Sequence, residues 1–293
     1  MINDDVLSSE ANHPLFNSFT FVKGIGIKTE ITLRELGISC WNDVIKKQCP
    51  KLFPKQKWYA IWNGVNSAIE ALKTLNISQL TNLIPKIQHW KIIPNFINRI
   101  AYLDIETTGL SPHYSHITTI AVYDGTKVHD FVRGDNLNEF STFISKFPAI
   151  ATFYGKAFDI PFIKQEMGIA FNQIHFDVCF LLKRLEIKGG LKKIEKRFGI
   201  SRGALEDLDG YTAVLLWDKF KKTKKKEYLE TLLAYNNEDV INLEFLLYKA
   251  FNLLIEREQT LTAPLELPKK QVTNPFRANK RVVREVLGRR TYF

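Results

Sequence analysis

The sequence predicts an α/β protein: a mixed sheet flanked by helices, preceded by a mostly helical domain. Three observations carry that prediction. Apolar runs of strand length follow one another at residues 100–105, 117–123 and 127–132. Beyond them, helical periodicity alternates with short strands to about residue 256, the pattern of helices packed on the faces of a sheet. Ahead of them, up to about residue 95, only helical patterns and turns occur. The expected organisation is a helical domain over residues 1–95, the α/β domain over 96–256 and a basic tail over 257–293.

In the first segment, FVKGIGIKTEITLRELGI (residues 21–38) has the shape helix, Gly-x-Gly turn, helix. Gly24 and Gly26 can take positive φ, and Ile31, Leu33 and Leu36 can face a core. The segment resembles one half of a helix-hairpin-helix element, whose exposed amides can grip a phosphate. Glu30 stands where such hairpins usually carry Ala, which favours a purely structural turn. In KQKWYAIWNGVNSAIEALKTL, Trp58, Ile61, Trp62, Val65, Ile69 and Leu72 recur at helical spacing and predict a core-facing helix. Pro94, in HWKIIPNFINR, marks the domain boundary. The second and third strands meet at Asp124 and Gly125, the dipeptide of tight type I′ hairpins. A helix over 139–147, a strand over 149–154, a helix over 158–167 and a strand over 175–178 complete the sheet before the last helices.

Composition removes several chemistries. No apolar run reaches the roughly 18 to 20 residues of a membrane span, and Met1 to Asp5 carries acid where a secretory signal carries base. A soluble, cytoplasmic chain with no membrane partner is expected. Cys40, Cys49 and Cys179 include no CxxC pair, and the six histidines form no HExxH or cluster. Any metal must therefore be held by carboxylates. The net charge is +10, and it is concentrated. Residues 183–226 hold 14 basic against 6 acidic residues, and residues 268–293 hold 8 against 1. Two basic segments around an otherwise acidic body suit a polyanionic partner or a pair of solvated faces. The run Lys219, Lys221, Lys222, Lys224, Lys225 and Lys226 reads as an exposed loop or frayed helix end without acids to pair it. PFRANKRVVREVLGRR can lie along a nucleic-acid backbone or remain mobile.

Carboxylates supply the sharpest signal. In LDIETTGL, Asp104 and Glu106 are two apart on a strand and share one face at its end, where burial of both acids is tolerable with hard metal ions nearby. In FYGKAFDIPFI, Gly155 breaks a strand and Asp159 stands at a helix entrance, as a cap or as a functional acid. In LLAYNNEDVINLEFLL, Tyr235 and Asp239 are four apart on one helix face.

Taken together, in that order, these fragments resemble the three exonuclease motifs of the DEDD family in its tyrosine-bearing branch. The resemblance spans residues 100–251, and GGLKKIEKRFGISR and LDGYTAVLLW look like bacterial ribonuclease H-like predicted exonucleases. It implies a ribonuclease H-like fold and removal of nucleotides from 3′ ends with two divalent cations, Mg²⁺ or Mn²⁺. By motif, Asp104 bridges the metals, Glu106, Asp159 and Asp239 complete their shells, and Tyr235 orients the attacking water. A tyrosine of ordinary pKa near 10 is a poor base at neutral pH, which agrees with positioning. The implied partner is nucleic acid, single-stranded with a free 3′ end, DNA or RNA, contacted by Thr107, Leu110, Tyr154, Phe158, Lys192, Lys193, Lys222 and Lys224. Tyr154 departs from the Asn many relatives carry, and either stacks on a base or blocks the pocket. Ala234 stands where the histidine branch carries His, and His175 reads as a packing residue. A catalytically silent nucleic-acid-binding module and an endonuclease are the rival functions.

Overall fold

The computed structural model describes residues 13–260, 262–269 and 272–288. Met1 to Asp5 and the tail residues 270, 271 and 289–293, used above for targeting and charge, lie outside them. The chain forms two compact units, Met1–Ile97 with Phe251–Glu266, and Asn98–Ala250 with Leu267–Phe293.

In the first unit, α1 (Ile27–Glu35), α2 (Trp41–Lys46), α3 (Lys55–Lys73) and α4 (Ile77–Leu83) precede a 3₁₀ segment at Lys86–Phe96. The residues ahead of the Gly24–Gly26 turn, expected to be helical, form successive turns. They are held by Glu30, whose buried carboxylate accepts hydrogen bonds from the Phe19 amide at 2.7 Å, Ser18 Oγ at 3.2 Å and Arg34 Nη2 at 2.8 Å. The buried stripe of α1 therefore runs through Glu30 and Leu33, and Ile31, about 100° round the helix, is exposed rather than in the core. On α3 the stripe runs through Trp58, Ile61, Val65, Ile69 and Leu72, and Trp62 falls outside it, exposed.

The second unit is built on a five-stranded sheet of order β3-β2-β1-β4-β5, with β1 (Ile100–Thr107), β2 (Ile117–Tyr123), β3 (Val128–Val132), β4 (Ala149–Thr152) and β5 (Ile174–Asp177). The first three strands form an antiparallel meander, while β4 and β5 join β1 in parallel. Parallel neighbours require crossovers, and α5 (Phe140–Ile144) and α6 (Asp159–Met167) provide them. The β2–β3 connection is a four-residue loop instead of the two-residue turn expected. The reason is Asp124, whose Oδ1 accepts from the amides of Thr126 at 2.8 Å and Lys127 at 2.9 Å and closes a wider turn. Odd-numbered residues of β1 (Ala101, Leu103, Ile105) pack with Phe131, Phe140 and Phe162. Even-numbered ones face the long helix α10 (Lys226–Arg257).

Between β5 and α10 come α7 (Val178–Arg184), α8 (Leu191–Arg197) and α9 (Gly210–Thr223). Most of the lysine run closes α9, where positive charge suits the C-terminal end of a helix, and Lys226 begins α10. Acids do pair it: Lys222 reaches Asp218 at 2.7 Å and Lys219 reaches Glu285 at 2.9 Å. The C-terminal segment forms α11 (Lys280–Gly288), whose Val282, Val283 and Val286 are buried with Leu216, Trp217 and Leu232. Tyr228 donates to Glu285 at 2.8 Å and Asn274 donates to the Ala234 carbonyl at 2.7 Å. Its charges lie on one face and its valines on the other, so this part of the tail is a packed element of the second unit. Among the described residues no helix is long and apolar enough to cross a membrane, and all three cysteines are free thiols.

Packing of α11 has a measurable consequence. Val282→Ala is expected to lower the unfolding free energy by roughly 1–3 kcal/mol in a denaturant titration, whereas Arg284→Ala, on the exposed face, changes it by less than about 0.5 kcal/mol. Equal effects would mean that the valines do not hold the helix down.

Candidate functional site

The period of a strand puts Asp104 and Glu106 on the same side of β1, opposite Ala121 and Thr119 of β2. The register shifts between Glu106 and Thr107, where the strand ends its regular pairing and the chain turns away. On α10, the four-residue spacing of Tyr235 and Asp239 turns both toward that face. Carboxylate oxygens of Asp104, Glu106 and Asp239 consequently lie within 4.8 Å of one another, although Asp104 and Asp239 are about 135 positions apart in sequence. Asp159 is the first residue of α6, one past its N-cap Phe158. Its Oδ1 accepts the Ile105 amide of β1 at 3.2 Å, which draws a fourth acid, itself buried, to the side of the cluster.

Burial and mutual repulsion decide the protonation of these acids. Asp104 and Glu106 are pushed well above the carboxylate range by burial, with Asp239 and Asp159 adding to the shift. Burial raises Asp159 to about 7. It raises Asp239 to about 6, with Arg202 pulling in the opposite direction. The Tyr235 hydroxyl is pushed up by burial and then by Asp239, so it stays protonated at neutral pH.

Two supports escaped the reading of the sequence. Asn236, fully buried beside Tyr235, donates from Nδ2 to Asp104 Oδ2 at 2.7 Å, while Thr119 Oγ1 pairs with Asn236 Oδ1 at 2.9 Å and fixes the amide's orientation. Arg202 forms an ion pair with Asp239 Oδ1 through Nη2 and also donates from Nη2 to Glu195 Oε1 at 2.7 Å. Asn242 donates to the same Glu195 oxygen at 3.0 Å, and the Arg202 guanidinium lies 5.7 Å from the Tyr235 ring centroid. Both charged partners occur in GGLKKIEKRFGISR, but nothing in that phrase relates them to an acid on a later helix.

The cluster opens on a cavity of about 810 Å³ lined by Thr107, Leu110, Tyr154, Phe158, Lys192 and Lys193 together with the acids and Tyr235. Its size lies within the roughly 300–1,000 Å³ common for ligand sites. Lys192 Nζ is 5.2 Å from the Tyr235 ring centroid. Leu110 is 87% exposed at the mouth. Lys222 and Lys224, expected to contact nucleic acid, are not in the lining: α9 contributes Gly210, Tyr211 and Val214, and eight helical residues carry Lys222 about 12 Å beyond Val214. His175 pairs with Thr152 Oγ1 at 2.8 Å and burial pushes it down to about 3, so it is a neutral packing group.

A cation fits the donor set. All three clustered donors are carboxylate oxygens, the hard ligands preferred by Mg²⁺ and Mn²⁺. Asp239 Oδ1, despite the Arg202 ion pair, is buried without a well-aligned hydrogen bond.

The sequence profile of the RNase_H superfamily (RNase_H_2) matches residues 101–251. Over 168 residues the chain is 29% identical to the uncharacterized protein YprB of Bacillus subtilis (strain 168), covering 50% of this chain and 40% of that protein. The chain thus spans about two-fifths of the length of that curated relative. Similar solved structures include the apo form of a nuclease, at 21% identity and a TM-score of 0.39 over 55% of this chain and 74% of that one. A family B DNA polymerase from the hyperthermophilic archaeon Pyrobaculum calidifontis is 15% identical with a TM-score of 0.41, covering 56% of this chain and 27% of its own. Brucella melitensis NrnC with bound Mg²⁺ is 20% identical with a TM-score of 0.37, over 57% and 80%.

Two outcomes follow from the electrostatics. Carboxyls with raised pKa leave the folded chain holding more protons than the unfolded one between the ordinary range near 4 and the raised values of about 6 and 7. Stability in chelator therefore falls as pH rises through that window. The melting temperature should be lower at pH 8 than at pH 5, and Mn²⁺ should restore it at pH 8; a profile unaffected by Mn²⁺ would contradict the assignment. Arg202→Met strands Glu195 and Asp239 and should lower the unfolding free energy in chelator by roughly 3–5 kcal/mol. A loss under about 1 kcal/mol would show that the ion pair contributes little.

Proposed function

This chain belongs to the RNase_H superfamily, and from that premise we propose that it is a metal-dependent 3′ to 5′ exonuclease of the tyrosine-bearing DEDD type, acting on single-stranded DNA or RNA. The observation that carries the reading is the convergence of Asp104, Glu106 and Asp239 from β1 and α10, with Asp159 beside them. Close, buried, like-charged oxygen donors are costly to a fold unless cations neutralise them.

In this reading Asp104, Glu106, Asp159 and Asp239 hold two Mg²⁺ or Mn²⁺ ions. Such ions supply charge neutralisation, polarisation of the phosphoryl group and activation of water. The chain's own residues do the positioning. Asn236 holds one oxygen of Asp104, so that the other stays directed at the cluster. Protonated Tyr235 donates a hydrogen bond that orients the attacking water. Lys192 and Lys193 line the cavity wall and attract the phosphates of the entering strand. A single-stranded end suits the site because a terminal nucleotide must leave the base stack to reach the acids.

One observation favours a second reading. Arg202 already supplies a fixed positive charge to Asp239, which suits a silent binding module that retains the acidic platform without turnover.

Labelled single-stranded DNA and RNA oligonucleotides separate these readings. With Mn²⁺, free-ended strands should shorten stepwise from the 3′ end while 3′-blocked strands persist. Asp104→Asn should slow shortening by at least about a thousandfold, the several kcal/mol that metal-assisted charge stabilisation contributes, and leave binding in place. Cleavage indifferent to the block would indicate an endonuclease, and binding with no shortening would indicate the module.

A further inference from the structure

The turn that follows β4 is shaped by one carboxylate. Asp177, at the end of β5 and 2% exposed, accepts the Tyr154 amide at 3.0 Å and the Phe180 amide at 3.4 Å on Oδ1, and the Lys156 amide at 3.0 Å on Oδ2. Two chain segments are thereby registered on a single side chain. Gly155 closes the turn where a Cβ would stand 2.4 Å from Thr152 Oγ1. Tyr154 is held at φ +67°, a left-handed conformation that is unfavourable for a non-glycine residue. The hydrogen bond to Asp177 offsets that cost.

The result is a pair of aromatic rings presented outward. Tyr154 and Phe180 stack with centroids 6.1 Å apart and 28° between planes, yet remain 45% and 40% exposed. Lys183 Nζ lies 4.9 Å from the first ring centroid and 5.1 Å from the second. Tyr154 lines the acidic cavity, whereas Phe180 and Lys183 do not, so the pair runs outward from the cavity wall. Rigidly anchored, exposed rings beside a cation match the chemistry of a nucleobase with its neighbouring phosphate.

We propose that Tyr154 and Phe180, with Lys183, form a stacking subsite for an unpaired nucleobase of the strand whose end enters the acidic cavity. The inference rests on the nuclease reading and sharpens its substrate class. A base in a duplex has both faces covered by its neighbours and cannot use the ledge, so the subsite selects single strands. Every base offers a π-face, so it is tolerant of sequence and of sugar type. Lys183 supplies the charge for the adjoining phosphate.

The test uses the full chain carrying Asp104→Asn, so that strands stay intact, and a 5′-fluorescein single-stranded octanucleotide in which each position in turn is made abasic. Fluorescence anisotropy should show that one abasic position weakens binding about 5- to 100-fold. With Phe180→Ala added, the same abasic strand should lose less than about twofold, because ring and base act as a pair. Phe180→Tyr, which keeps the ring, should retain the penalty, and unchanged melting temperatures show that the variants are folded. Equal abasic penalties with and without the Phe180 ring overturn the subsite even if the wild-type chain shortens oligonucleotides. Failure of the chain to bind any oligonucleotide overturns both subsite and nuclease. A ring-dependent abasic penalty without metal-dependent shortening supports the subsite and overturns only the catalytic reading.

Discussion

Like charges forced together in a buried place set the terms for the second unit. Three carboxylate groups bring oxygens within 4.8 Å of one another, and at an effective dielectric of about 20 each ionised pair repels by about 3 kcal/mol. Summed over the cluster, that repulsion rivals the roughly 5–15 kcal/mol by which a whole domain is stable. The fold has three ways to relieve it: protonation, the Arg202 ion pair, or bound cations. The first two are visible in the raised carboxyl pKa values and in the Arg202–Glu195–Asn242 chain of contacts. Cations relieve the repulsion while leaving the carboxylates ionised, and an ionised oxygen is what an electrophilic ion requires.

The architecture serves that constraint. β1 lies in the middle of the sheet, so the acids on its even-numbered face stand away from any sheet edge. α10 crosses the same face and carries its tyrosine, the amide that orients Asp104 and its acid within little more than one turn. Packing of α9 and α11 against α10 buries Leu216, Trp217, Leu232 and Val282 together and gives the helix a fixed seat. A shift of one residue along α10 would swing Asp239 about 100° away from Asp104, so the apolar contacts of the C-terminal segment bear on the geometry of the acids.

The cavity and the ledge beside it are organised by the same device at different depths. At the floor, buried side chains hold charged groups in place: Asn236 on Asp104, Arg202 on Asp239. At the rim, the buried Asp177 holds backbone amides and so orients two rings. In both places a buried polar side chain fixes a charged or exposed group, which is how a rigid scaffold holds surface groups in place.

Strand and helix placement was legible because it depends on local periodicity. The five strands fall within a few residues of the expected ranges, and the same-face relations of Asp104 with Glu106 and of Tyr235 with Asp239 follow from the strand and helix repeats alone. Local side-chain bonding upset the finer expectations: Asp124 widened a hairpin, and Glu30 took the buried stripe from Ile31. That acids of β1 and α10 meet was implied only by the resemblance of the motifs taken together; tertiary structure alone decided that Arg202 and Asn236 support the acids, that Lys222 lies away from the cavity, and that Tyr154 meets Phe180. Each of these depends on contacts between segments distant in the chain, and no local repeat encodes the path that brings distant segments together.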